Sequence, residues 1–365
     1  MSSVYPSPPA PDFLRRLRRR LLTWFQYHQR DLPWRRDRDP YRIWVSEIML
    51  QQTTVAAVVP YFERFLAAFP TLAALAAAPE QKVLRLWEGL GYYRRARDLH
   101  RAARLAVARH GGQVPDDPDA LRALPGVGRY TLGAILSQAF DRRFPILEAN
   151  SARVLSRLFA CPDDPRTGPV QRWLWETAER ILPRRQVGAF NQALMELGAL
   201  VCTPRRPRCA DCPVAGLCAA RAAGLQEAIP PKPAAAAPTR ITEAAVVIRR
   251  GKDVLLVQRP ADASRWANLW EFPHGELGDG ESPRAAGRRV VRTLTGLRVR
   301  LGSELLTVRH GVTRFRITMV CFEAHHRGGR FRSPYYQRGV WVRPERLADY
   351  PLSVPQRRIA AALTG

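Results

Sequence analysis

The sequence predicts a multi-domain chain, an all-α domain followed by an α+β domain, and three observations carry this. Apolar residues recur at helical spacing from residue 13 to about residue 181, with no convincing strand among them. A Pro/Ala-rich stretch then interrupts the pattern at residues 226–240. Beyond it the period changes to that of strands, with a single helical stretch between them. At 365 residues the chain is long enough for two domains on a prior of ~150 residues each.

The first helix is expected over residues 13–25, where Leu14, Leu17, Leu21 and Phe25 line one face and arginines fill the other. Helical patterns continue over 43–52, 55–69, 80–89, 94–109, 130–140, 152–159 and 170–181, separated by short Gly/Pro-rich turns. A cysteine-bearing loop closes this half by about Cys218, giving a first domain over 1–225. After the 226–240 linker, strands are expected at 244–248, 254–258, 298–301, 314–322 and 339–342, with a helix at 283–294. These form the second domain, 241–365.

Composition narrows the functional classes. Lys+Arg 58 against Asp+Glu 32 gives a net charge of +26, which suits a polyanionic partner. An arginine-rich codon bias would raise the charge equally, and the three lysines, Lys82, Lys232 and Lys252, fit such a bias. The longest apolar run, residues 72–78, falls far short of the ~20 residues a membrane span needs, so no membrane partner is expected. Residues 21–25, behind the arginines of the first helix, are too short for a secretory core. An intracellular, cytoplasmic chain is expected.

Four of the six cysteines, Cys202, Cys209, Cys212 and Cys218, follow a Cys-x6-Cys-x2-Cys-x5-Cys spacing. Thiolates this close suit a tetrahedral metal or a [4Fe–4S] cluster. Zinc ribbons pair two Cys-x2-Cys hooks and only one is present, so the spacing favours the cluster. Arg205, Arg206 and Arg208 would make the loop a basic finger for phosphates.

Leu124-Pro-Gly-Val-Gly-Arg-Tyr130 lies between two helical stretches, and Gly126 and Gly128 permit a tight turn that aims backbone amides at an anion. A Gly-x-Gly alone is more often a plain turn. Glu47 has mostly apolar neighbours one turn away, which would raise its pKa and fit it to donate a proton near neutral pH. A helix carboxylate that merely pairs with an arginine reads the same way from pattern alone.

Taken together, the Leu-Pro-Gly-Val-Gly turn, Arg30-Asp-Leu-Pro-Trp-Arg35, Asp39 through Thr53, Gly89-Leu-Gly-Tyr-Tyr93, Gly188 through Gly198 and the cysteine spacing resemble the MutY family of adenine DNA glycosylases. The likeness is close over about 13–222 and looser over 241–365. It implies a helix-hairpin-helix glycosylase domain with an iron–sulfur loop, then a Nudix-like domain that recognises 8-oxoguanine. Implied partners are duplex DNA with A·8-oxoguanine or A·G mispairs, handled by a monomeric, nucleoid-associated protein of bacterial type. The adenine would be flipped into a pocket and its N-glycosidic bond hydrolysed.

The resemblance also implies roles. Glu47 would protonate the adenine ring nitrogen. Glu148 stands where the family has Asp, as the second carboxylate that stabilises an oxocarbenium-like sugar, with Asn150 supporting it. Tyr130 stands where bifunctional relatives carry a nucleophilic lysine, which implies base removal without strand cleavage. Gln192 would read the adenine edge, Arg30, Trp34 and Arg35 would wall the pocket, and Gln52, Thr53 and Tyr92 would contact DNA around the flipped base. Because Glu148 sets its charge one methylene further out, a weakened relative that binds the mispair without efficient turnover is the alternative.

In the second half, Gly275-x5-Glu281-x7-Arg289-x-Val291 keeps a Nudix skeleton, but Val290, Thr293 and Leu294 replace the metal-binding carboxylates. The family's lesion-reading loop corresponds to His310-Gly-Val-Thr-Arg314, in which Thr313 keeps a hydroxyl and Arg314 replaces a histidine.

Overall fold

The computed structural model describes residues 5, 9–231, 237–312 and 314–364. Contacts divide the chain into two compact units. One comprises residues 1–76 and 101–234, the other 77–100 and 235–365. The second unit is therefore discontinuous. It takes residues 77–100, expected within the first domain, because their partners lie near the end of the chain.

In the first unit every described element is helical. α1 (Pro11–His28), α2 (Pro40–Leu50), α3 (Val55–Ala68) and α4 (Leu72–Ala77) come first. The 77–100 segment contributes α5 (Glu80–Trp87) and opens α6 (Arg94–Arg109). α7 (Pro118–Arg122), α8 (Arg129–Phe140), α9 (Ala149–Leu158), α10 (Gly168–Ile181), α11 (Val187–Leu200) and the short α12 (Ala219–Ala222) follow. Most expected helices recur within three residues at each end. α1 presents Leu17, Leu21, Trp24 and Phe25 to Phe190, Leu194 and Leu197 of α11 in one continuous core. Close helix approach depends on glycine: a Cβ on Gly188 would stand 2.4 Å from the Ser137 carbonyl oxygen, and one on Gly133 2.2 Å from that of Pro145.

The second unit is built on a seven-stranded sheet. Its strands are β1 (Thr239–Arg250), β2 (Asp253–Gln258), β3 (Trp270–Glu271), β4 (His274–Glu276), β5 (Arg298–Val312), β6 (Phe315–Gly328) and β7 (Arg338–Val342). The order is β3-β2-β1-β6-β5, with β4 pairing with β1 and β7 with β2. β1 and β6 run parallel and the other pairs are antiparallel. Alternating residues of β1 feed two cores: Ala245 and Val247 one face, Val246 and Ile248 the other. Val291 of α13 (Pro283–Thr295) joins the second face, and Ile359 of α14 (Val354–Ala361) the first.

β5 and β6 run much further than the sequence suggested. His310 to Val312, expected in a loop, close β5 in register with Ile317 to Phe315. Thr313, expected to meet a base edge, lies outside the described residues. Within the Nudix skeleton, Glu281 pairs with Arg289 at 2.7 Å. Among the described residues no group of His, Cys, Asp or Glu closes on a metal ion there or elsewhere.

Candidate active site

A cavity of about 850 Å³ opens in the first unit. Arg30, Trp34, Arg35, Glu47, Tyr130, Glu148, Asn150 and Gln192 all line it. Gln52 and Thr53, just after α2, also line it. Gln52 adopts a positive φ of 57°, a strained backbone for a non-glycine residue. Gly126 (φ 79°) makes the turn before α8, and Gly128 caps that helix in extended geometry. Tyr92 belongs to the other unit. It is 48% exposed, also at positive φ, with the Arg95 guanidinium 5.3 Å from its ring centre.

Glu47 is brought to the cavity by α2, whose N-terminus Asp39 caps through the amides of Tyr41 and Arg42. It is only 3% exposed. The Tyr130 hydroxyl donates to Glu47 Oε2 at 2.6 Å, and Gln138 Nε2 donates to Oε1 at 2.8 Å. Burial pushes the Glu47 carboxyl above its ordinary range, and the two hydrogen bonds and Arg35 oppose that only in part. Glu47 is thus a buried carboxyl with both oxygens hydrogen-bonded and its acidity weakened by burial. Gln138 is a partner the sequence reading missed. Its signal was present, since it stands two helical turns beyond Tyr130 on α8.

Glu148 occupies the N-cap of α9 and closes a capping box. Its Oε2 and Oε1 accept from the amides of Asn150 and Ser151, both at 2.7 Å, while its own amide donates to Ser151 Oγ at 2.8 Å. The longer side chain thus curls onto its own helix. Burial raises its pKa against the opposing pull of those amides. Asn150 accepts from Arg153 Nη2 at 2.9 Å. A Cβ on Gly198 would stand 2.6 Å from Asn150 Cβ, so α11 can approach α9 here only through a glycine.

The second residue missed is Glu196, the one charged side chain of α11. Its carboxylate accepts from the Arg30 amide at 3.0 Å, Arg30 Nε at 2.7 Å, Arg30 Nη2 at 2.8 Å and Arg35 Nη2 at 3.0 Å. Burial would raise its pKa, but the hydrogen bonds and charge of Arg30 and Arg35 hold it at about 2. Glu196 therefore fixes two arginines of the cavity wall. A lone carboxylate in an apolar helix was the signal. Trp34 completes that wall, edge-on to Phe62 with ring centres 5.3 Å apart.

Cys202, Cys209, Cys212 and Cys218 are all free thiols. Burial raises the pKa of Cys209, Cys212 and Cys218, Cys212 to about 11. Buried Arg157 donates from Nη1 to Cys202 Sγ at 3.3 Å and to the Thr203 carbonyl at 2.7 Å. Arg153 Nε donates to the Cys202 carbonyl at 2.8 Å. Four thiols on one short loop, with no carboxylate or imidazole among them, fit an iron–sulfur cluster.

Comparisons with known proteins agree with this geometry. Residues 45–180 match the HhH-GPD superfamily of base excision DNA repair proteins. Residues 202–218 match the iron–sulfur binding domain of endonuclease III, and residues 244–362 match the NUDIX domain. The loop is thus an iron–sulfur-binding loop. The adenine DNA glycosylase of Rattus norvegicus is 40% identical over 308 residues, 70% of this chain and 60% of that protein. The Homo sapiens protein of the same name is 40% identical over 307 residues, covering 69% and 56%. The chain spans about three fifths of the length of these curated relatives. Among solved structures, a thermostable thymine-DNA glycosylase is 30% identical with a TM-score of 0.53, covering 58% of this chain and 98% of its own. Among the described residues no helix is long and apolar enough to cross a membrane. With HhH-GPD, iron–sulfur-binding and NUDIX regions in one sequence and adenine DNA glycosylases 40% identical over 308 and 307 residues, the chain is similar to the MutY family of adenine DNA glycosylases.

Proposed function

We propose that the chain is a monofunctional DNA glycosylase that flips adenine out of A·8-oxoguanine or A·G mispairs and hydrolyses its N-glycosidic bond. The observation that carries this reading is Glu47, buried at a cavity roomy enough for a flipped base, with Tyr130 and Gln138 on its two oxygens. A neutral carboxyl there gives its proton to the adenine ring and turns the base into a better leaving group. Gln192 lines the same cavity and offers an amide to the base edge. Trp34 closes the wall against water, and Glu196 keeps Arg30 and Arg35 from collapsing into the space.

Among the described residues that line the cavity there is no lysine, and the Tyr130 hydroxyl, at the place where bifunctional relatives carry one, is committed to Glu47. Water, rather than a protein amine, then completes the reaction, and the strand stays intact. Cys202, Cys209, Cys212 and Cys218 would hold the iron–sulfur cluster, which would supply a structural cross-link. Arg153 and Arg157 of α9 carry hydrogen bonds to that loop. The reading further implies a monomer acting on chromosomal DNA in the cytoplasm.

A second reading has its own observation: Glu148 spends both oxygens on the α9 cap, which withdraws the charge meant for the sugar. It makes the chain a mispair-binding relative with little turnover. Single-turnover release from a duplex with A opposite 8-oxoguanine, analysed with and without alkali, separates the readings. Abasic product cleaved only after alkali supports the monofunctional enzyme. Strand cleavage without alkali overturns that part, and tight binding without release selects the second reading.

A further inference from the structure

The loop Glu88–Tyr93, which carries exposed Tyr92, is held by groups from the far end of the sequence within the same compact unit. Glu88 ends α5 with its carboxylate largely buried. Arg357 of α14 meets it with two bonds, Nε to Oε1 at 2.6 Å and Nη2 to Oε2 at 2.8 Å. The Leu352 amide adds a third at 3.2 Å. Arg357 is itself fixed by the carbonyls of Leu347 at 2.7 Å and Tyr350 at 2.6 Å. On the other side of the loop, the Tyr93 hydroxyl donates to the Leu352 carbonyl at 3.1 Å.

The loop between these anchors is conformationally costly. Gly89, Gly91 and Tyr92 all have positive φ, at 102°, 70° and 48°. For tyrosine that conformation is unfavourable and persists only where surroundings over-determine it. Trp87 Nε1 and Arg95 Nη2 hold the Gly91 carbonyl at 3.1 and 3.3 Å, and the Arg95 guanidinium sits near the faces of both Trp87 and Tyr92. What remains free is the outer part of the Tyr92 ring.

We infer that the Glu88–Arg357 pair is a positioning device: the C-terminal helix of the Nudix-like region sets the Gly89–Tyr93 loop so that Tyr92 is presented, rigid, to DNA. Arg357 acts through the loop and touches no substrate. This inference rests on the proposed function only for what Tyr92 meets. The holding of the loop stands apart from it.

The test uses full-length, iron-loaded protein and has two arms. In the first, amide hydrogen exchange is followed without DNA in Arg357→Ala, Glu88→Gln and Arg357→Lys. Exchange at residues 89–93 should rise about tenfold in the first two, with α8 and α9 unchanged, and Arg357→Lys should recover part of the protection. Unchanged exchange at 89–93 overturns the inference, as does a rise spread over both units. In the second arm, affinity for a duplex with A opposite 8-oxoguanine is measured in Arg357→Ala, Tyr92→Ala and the double variant. Arg357→Ala should weaken binding about fivefold and add nothing to Tyr92→Ala. Additive losses overturn the role assigned to the pair. If exchange responds as expected while Tyr92→Ala binds like wild type, the positioning of the loop stands and Tyr92 as a DNA contact fails. Failure of wild type to bind the mispaired duplex at all refutes the proposed function and leaves the first arm intact.

Discussion

Glu196→Gln should destabilise the helical unit more than any other single-atom exchange at the cavity. The carboxylate is buried, with a side-chain exposure of 1%, and accepts four hydrogen bonds from Arg30 and Arg35. Holding a carboxyl at about 2 rather than 4.5 corresponds to ~3 kcal/mol of folding free energy. Breaking a buried pair by removing one charge costs ~3–5 kcal/mol on general grounds. Arg30 remains one third open to water, which favours the lower end. For a unit of this size ~3 kcal/mol lowers the melting temperature by roughly 6–12 °C. Thermal unfolding of Glu196→Gln beside wild type measures this. The sign with pH is also fixed: a depressed carboxyl stabilises above its unfolded pKa, and the contribution fades as pH falls towards 2. The gap between the two proteins should therefore narrow on acidification from pH ~5. A melting temperature within 2 °C of wild type at neutral pH, or a gap that widens in acid, would refute the reasoning.

Glu47→Gln should abolish adenine release while keeping duplex affinity within about tenfold, ~1.4 kcal/mol, in a single-turnover and binding comparison. In the wild type, release should fall as pH rises past the elevated pKa of Glu47, because the protonated form is the donor. Glu148→Asp should release adenine at least as fast as wild type, since it restores the side-chain length that the resemblance gives the second carboxylate. Glu148→Gln should lose ~10²–10³ in rate, and equal release by all three proteins would remove Glu148 from the chemistry. Gly198→Ala should cost ~1–3 kcal/mol in a denaturation series by driving α11 off Asn150. Purified protein should contain about four iron per chain with a broad absorbance near ~400 nm, and stoichiometric zinc after anaerobic preparation would overturn the cluster.

Local signals made much of this legible. The α2 and α8 helices, the Gly126 turn and the cysteine loop each declare themselves within a short local stretch, and so does the apolar setting of Glu47. What escaped depends on distant pairing. Glu196 looks like an interruption of an apolar helix until residues 30 and 35 fold onto it. Gln138 has no meaning until α2 lies beside α8. The β5–β6 ribbon hid its length because its exposed, arginine-rich ends lack a buried face to set an alternating pattern. Glu148 was read for its charge, whereas Ser151 three residues on already offered it a reciprocal cap.

The broken continuity of the second unit has a bearing on biosynthesis. Residues 77–100 leave the ribosome with the helical half, but the groups that complete Glu88 and Tyr93 are 259–269 positions further along. At ~5–20 residues per second, roughly 10–50 s pass before those partners exist. During that interval the nascent helical half must wait with α5 undocked, its strained Gly89–Tyr93 turn unsupported. A chain that stops in the linker would keep the entire catalytic cavity and still be unable to finish this segment.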